Sequence, residues 1–167
     1  MRKLTFKQVA PFAVLLLVAI VAMFIKPEGD YVPGPKDPQY SQADITWVLV
    51  STALVFLMTP GLAFFYGGMV HRKNVISTMI KSVVAAGVVG ILWIFVGFSL
   101  SFGTDIGGVI GDPTTFMFYK GVKSGAPWVG ANTIPLTLFS LFQLMFAIIT
   151  PGLVVGAVAE RIRFTSY

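Results

Sequence analysis

Ile45–Val70, ITWVLVSTALVFLMTPGLAFFYGGMV, runs for 26 residues without a charged side chain. A helix rising about 1.5 Å per residue crosses a hydrocarbon layer about 30 Å thick in roughly 20 residues, so this stretch alone is long enough to span a bilayer. Two further stretches qualify. Val75–Phe102 is interrupted only by Lys81, and Ile134–Ala159 carries no charge. A central Lys, Arg or Asp would cost about 2.5–3.5 kcal/mol on insertion. Lys81 lies near the basic end of its span, from which its long stem is expected to carry the ammonium to the interface. The expectation is three transmembrane helices at about 45–70, 75–102 and 134–159.

Composition points the same way. The 167 residues are 56% hydrophobic and 11% charged, whereas an ordinary soluble domain is about 25% charged. A small soluble domain buries only about two-thirds of the surface its unfolded chain exposes, too little for this much apolar area. Disorder needs low hydrophobicity and is excluded as well. With no cysteine, disulfide scaffolds, thiol catalysis and Cys-ligated metals are ruled out.

The N-terminal 25 residues form a separate segment. Arg2, Lys3 and Lys7 precede the apolar run Ala10–Ile25, which contains Pro11 and ends at Lys26-Pro27. This is the layout of a signal peptide. The alternative is an uncleaved anchor helix, because Ile20 stands where cleavage after Ala22 would want a small residue. Residues 26–43, with four prolines and two glycines from Pro27 onward, read as a linker. Gly103–Thr133, rich in Gly, Pro and Asp, is long for a plain connection and is expected to contain a short helix or a fold-back element. Asp44 is the expected N-cap of the first long helix. Trp47 and Trp128 are placed at membrane borders.

Basic residues set the orientation. With Arg2, Lys3, Lys7, Arg72, Lys73, Lys81, Arg161 and Arg163 in the cytoplasm, only Lys26, Lys36, Lys120 and Lys123 fall outside, together with six of the seven acids. The turn 71–74 and residues 160–167 are then cytoplasmic, and linker 26–43 and loop 103–133 extracytoplasmic. The formal charge of +5 divides into +7 inside and −2 outside. The basic excess is thus a topology signal, and nucleic acid is not an expected partner.

Helices in lipid approach closely where side chains are small. Gly61, Gly67 and Gly68, then Ala85, Ala86, Gly87, Gly90 and Gly97, then the Gly152–Gly156 pair supply such residues on all three spans. Thr59-Pro60-Gly61-Leu62 is echoed by Thr150-Pro151-Gly152-Leu153. Each proline removes a backbone donor, so each helix is expected to bend or loosen there. The echo is either a chance recurrence in proline-tolerant membrane helices or a device for freeing carbonyls beside a pathway.

Few residues are suited to chemistry. On the third span Phe139, Phe142 and Phe146 recur, and Phe142 and Phe146, four apart, share a helical face. Gln143 beside them is the only amide within a long span. The rings serve either packing or an aromatic vestibule attractive to a small cation. Glu160 with Arg161 and Arg163 reads as an interfacial ion pair, and His71 as a solvated turn residue. Asp105 and Asp112 supply too few oxygen ligands for calcium. No phosphate-binding loop, paired catalytic carboxylates or His-supported serine is present. No enzyme activity, metal or cofactor is expected.

Thr59–Val75, TPGLAFFYGGMVHRKNV, resembles the first core helix and turn of the ammonium transporter (Amt/MEP/Rh) family. Phe142–Pro151, FQLMFAIITP, followed by Gly156-Ala157 and Ala159–Phe164, AERIRF, resembles its third core helix. The order and spacing of both blocks are those of the family, over about residues 42–167.

The resemblance implies an all-α, polytopic integral membrane bundle: the first three core helices of the ammonium transporter fold in a partial domain over 44–167, plus the N-terminal signal or anchor helix. It implies transport of ammonium or ammonia across the cell membrane by a homotrimer of eleven-helix protomers embedded in the lipid bilayer, with a cytoplasmic regulator. By the same resemblance Phe146 stands at the vestibule and gate phenylalanine, Phe142 at its aromatic neighbour one turn outward, and Gln143 in a packing role. The family's vestibule tryptophan, required aspartate and pore histidines are expected beyond Tyr167. The chain therefore reads as an N-terminal fragment, supplying part of the outer vestibule and not conducting alone. The alternative is a non-conducting assembly or sensor module derived from the family.

Overall fold

Ser41 opens the first long helix. Its hydroxyl accepts from the backbone N–H of Asp44 at 3.2 Å, satisfying one of the orphan donors of a helix start. The cap is thus Ser41 and not Asp44, which lies in the first turn of α1, Gln42–Met69. There its carboxylate faces the positive end of the helix dipole. Gln42 and Ala43, expected in the linker, are already helical. The computed structural model describes residues 39–123 and 125–161, together with positions 10, 13–14, 16–18, 20–21 and 24–25. Those earlier positions are helical except Ile25. The rest of the expected signal or anchor segment and residues 26–38 lie outside the described residues.

A 3-10 turn, Arg72–Asn74, leads into α2, Val75–Leu92. The span then runs through a π-helical segment, Trp93–Gly97, into the short α3, Phe98–Phe102. The last long helix, α4, is Leu136–Val158, with Pro135 at its cap in an extended conformation. These three spans are long and apolar enough to cross a membrane, and each packs against the other two. Pro60 and Pro151 both sit inside continuous helix, so neither proline breaks its span.

Packing differs between the two ends of the bundle. Toward the Arg72–Asn74 turn, small residues let side chains of the neighbouring helix reach the backbone. Gly67 of α1 receives Met79 and Val75 of α2, and Gly152 and Gly156 of α4 receive Leu62 and Tyr66 of α1. At the opposite end large rings fill the space. Trp93, Phe98, Phe116 and Leu136 form a buried core against which Phe102, Tyr119, Trp128 and Phe139 pack. Trp128 stacks on Phe139 at 4.8 Å, and Phe102 meets both edge-on.

The connection from α3 to α4 folds back on itself, as its length required. Two antiparallel strands, β1 (Asp105–Ile106) and β2 (Ile110–Gly111), pair Asp105 with Gly111 and Ile106 with Ile110. Gly107 and Gly108 turn between them at φ 64° and 71°, a left-handed pair that glycine adopts without strain. Ser99 anchors the segment after the hairpin: its buried hydroxyl donates to Asp112 O at 2.7 Å and accepts from Phe116 N at 2.9 Å.

Candidate functional site

The sequence-predicted pair lies on α4. Phe142 and Phe146 are one turn apart, and their rings meet edge to face with centroids 5.1 Å apart and planes at 81°. That geometry sets the positive edge of one ring against the negative face of the other. Phe142 is half-buried and packs on a core of Val55, Met145 and Ile148. Phe146 is 41% exposed, the more exposed of the two. Phe139 does not join them; it belongs to the aromatic core under the loop. Gln143 is half-buried beside the pair.

The two Thr-Pro-Gly motifs behave differently. Thr150 Oγ1 donates to the Phe146 carbonyl at 2.7 Å, an internal bond that satisfies the hydroxyl in an apolar setting and ties the motif to the backbone of the candidate site. Among the described residues Thr59 Oγ1 is buried without a hydrogen-bond partner, as is Ser82 Oγ on α2. The echo in sequence is therefore not an echo in bonding.

Lys81 departs from expectation. It is 4% exposed and enclosed in the bundle with Thr78 and Ser82 of the same helix, instead of extending along the outer surface. Glu160 departs too. Its Oε1 accepts from His71 N at 2.8 Å and from Asn74 Nδ2 at 3.0 Å, so the carboxylate at the end of α4 clasps the turn between α1 and α2. The Asn74 bond first, and then the His71 bond, hold its carboxyl below the usual carboxylate range. His71 is exposed, as expected, and contributes its backbone N–H. Asp105 accepts from Gly108 N at 2.8 Å, and Asp112 from Thr114 N and Oγ1 at 2.9 and 2.6 Å. Both carboxylates thus stabilise turns.

Sequence reasoning missed one polar cluster. Ser140, fully buried on α4, accepts from Trp93 Nε1 at 3.3 Å, and its hydroxyl lies 2.6 Å from Tyr119 Oη. The available signal was a lone serine in an apolar span, at the same depth as a tryptophan near the end of the preceding one. Ser99, which organises the loop, carried no signal beyond being a hydroxyl near a helix end.

With the geometry in place, the chain can be compared with known proteins. The model of the Ammonium Transporter Family matches residues 46–167. An ammonium transporter of Mycobacterium bovis is 46% identical over 138 residues, covering 74% of this chain and 29% of the relative. The ammonium transporter Amt1 of Archaeoglobus fulgidus is 41% identical over 127 residues, covering 76% of this chain and 30% of the relative. Among solved structures, the Mep2 mutant delta442 from Candida albicans superposes with a TM-score of 0.61 at 30% identity, over 77% of this chain and 31% of that one. The chain thus spans about three-tenths of the length of these relatives.

Proposed function

Since this chain belongs to the ammonium transporter family, a multi-pass membrane family, we propose that the protein containing it moves ammonium or ammonia across the cell membrane, and that residues 44–167 supply part of the outer vestibule. The observation that carries the reading is the edge-to-face Phe142–Phe146 pair on α4. In this reading the loop 103–133 and the aromatic end of the bundle face outward, and the Arg72–Asn74 turn and Glu160 face the cytoplasm, in keeping with the distribution of basic residues.

The rings recruit the cation at the mouth. A cation–π contact contributes about 0.5–2 kcal/mol, enough to concentrate ammonium there. It is far below the tens of kcal/mol needed to strip a bare ion into an apolar medium. Below the rings the nitrogen therefore continues as neutral ammonia, with its proton handled separately. Hydrated sodium and potassium have no proton to release and are rejected. A homotrimer in the bilayer and a cytoplasmic regulator complete the proposal.

The test expresses the complete reading frame that encodes this chain in cells lacking their own ammonium uptake. Saturable methylammonium uptake is expected, with affinity lowered by Phe146→Ala at unchanged expression. No uptake by the wild type would leave a non-conducting assembly or sensor role, and unchanged uptake by Phe146→Ala would remove the vestibule assignment. These 167 residues contain no cysteine, so a second check is possible in the complete protein once any cysteine elsewhere in it has been replaced. Val109→Cys should react with a membrane-impermeant maleimide on intact cells, and Lys73→Cys only after permeabilisation.

A further inference from the structure

Ser140 joins three elements through one hydroxyl. Trp93 Nε1, from the first residue of the π-helical segment, donates to it at 3.3 Å, and Tyr119 Oη, from the loop, pairs with it at 2.6 Å. A serine hydroxyl has one proton and two lone pairs, so it can serve both neighbours at once. Ser140 is 0% exposed and Trp93 8%, while Tyr119 is half-buried, and away from water each such bond counts for more than at a surface.

Two local irregularities deliver the partners. The π segment Trp93–Gly97 interrupts an α-helical span just where the indole must meet α4; insertions of this kind commonly re-aim a side chain at a functional position. On the loop side, Phe118 and Tyr119 are both left-handed, at φ 55° and 60°. Bulky residues avoid this conformation, and such strain persists only where the surroundings hold it in place. The fixing contacts are Phe118 against Phe95 at 5.0 Å, Tyr119 against Phe98 at 5.8 Å, and the Tyr119–Ser140 pair.

The node sits across the helix from the rings. At about 100° per residue, Phe142 and Phe146 lie roughly 200° and 240° around α4 from Ser140. A contact on that side resists rotation of the helix about its axis. A rotation of about 10° carries a side chain roughly 1 Å at the helix surface, a large displacement for a contact that requires a cation within about 6 Å of a ring centroid.

We propose that the Trp93–Ser140–Tyr119 node is a positioning device: it locks the rotation of α4 and thereby the direction in which Phe142 and Phe146 meet a small cation. The proposal rests on the vestibule reading above. Tyr119 and Ser140 act through the two phenylalanines and do not themselves touch substrate.

Methylammonium uptake by the complete protein, reconstituted in liposomes, tests it in the wild type, Tyr119→Phe, Ser140→Ala and the double variant. Tyr119→Phe removes one oxygen and keeps every ring contact. Each single variant is expected to raise KM by about 3- to 10-fold with the maximal rate per folded protein within about twofold, and the double variant to be no worse than the worse single one, because both remove the same bond. A merely structural role would lower the amount of folded protein and leave KM alone. Unchanged KM in both single variants, or additive losses in the double, would overturn the positioning role. Absence of saturable uptake in the wild type would instead overturn the transport reading on which it stands.

Discussion

Replacing Gly156 by alanine isolates the contact that brings α4 onto α1. A Cβ built at Gly156 would overlap the Tyr66 ring at Cζ, Cε1 and Oη, so the ring must shift by an ångström or more to restore ordinary carbon contact at about 3.5–4 Å. Overpacking of this kind costs about 1–3 kcal/mol. Alanine recovers about 0.8–1 kcal/mol of helix propensity over glycine, leaving a net destabilisation of about 1 kcal/mol. Tyr66 also donates to Leu153 O at 3.4 Å, a long bond whose loss adds little. Gly152 is the internal control. There the nearest atom is a terminal methyl of Leu62 at 3.2 Å, which yields by a few tenths of an ångström. Gly152→Ala should therefore be neutral or mildly stabilising, by up to about 0.5 kcal/mol. Thermal denaturation in detergent, followed by size-exclusion chromatography, should rank Gly152→Ala at or above wild type and Gly156→Ala below it. Tyr66→Ala in the Gly156→Ala background should make the added methyl harmless. If Gly156→Ala proves at least as stable as Gly152→Ala, the ring-on-glycine contact does not govern how these helices dock.

Acid should loosen the Glu160 clasp. The folded-state carboxyl titrates below its ordinary value, so its stabilisation is present above the unfolded pKa and is lost as pH falls through the lowered folded one. Hydrogen exchange at the His71 amide should accelerate only in that acid range, and Glu160→Gln should flatten the dependence. Ser99→Ala leaves the Phe116 N–H and the Asp112 carbonyl without their buried partner and should cost about 1–3 kcal/mol, with protection lost first at the Phe116 amide. Ser41→Ala should cost about 1 kcal/mol and act locally, raising exchange at Asp44 while leaving the centre of α1 protected.

The spans were legible because a bilayer imposes a length and forbids charge, and both constraints can be read residue by residue. Their ends were less so. Asp44 and Ser41 are both competent caps, and the choice depended on which hydroxyl or carboxylate could turn back on the helix start. The Phe142–Phe146 contact followed from four-residue spacing on one helix, which needs no tertiary information. Phe139 packs with Phe102 and Trp128, partners from elsewhere in the chain that no local spacing marks. Lys81 was read from its own helix alone, whereas its burial is a property of the packed bundle. The Ser140 node was invisible for the same reason: its members are separated by 21 and 47 positions, and no local pattern marks a hydroxyl that will be shared.

Bulk is distributed along the bundle like a taper, with bare backbone meeting rings and methyls at one end and ring meeting ring at the other. Helix axes stand apart by the size of what lies between them. The glycine end is therefore a fulcrum, and at Gly156 it tolerates almost no added volume. At the aromatic end one large side chain can be exchanged for another while the three rods stay joined at their base.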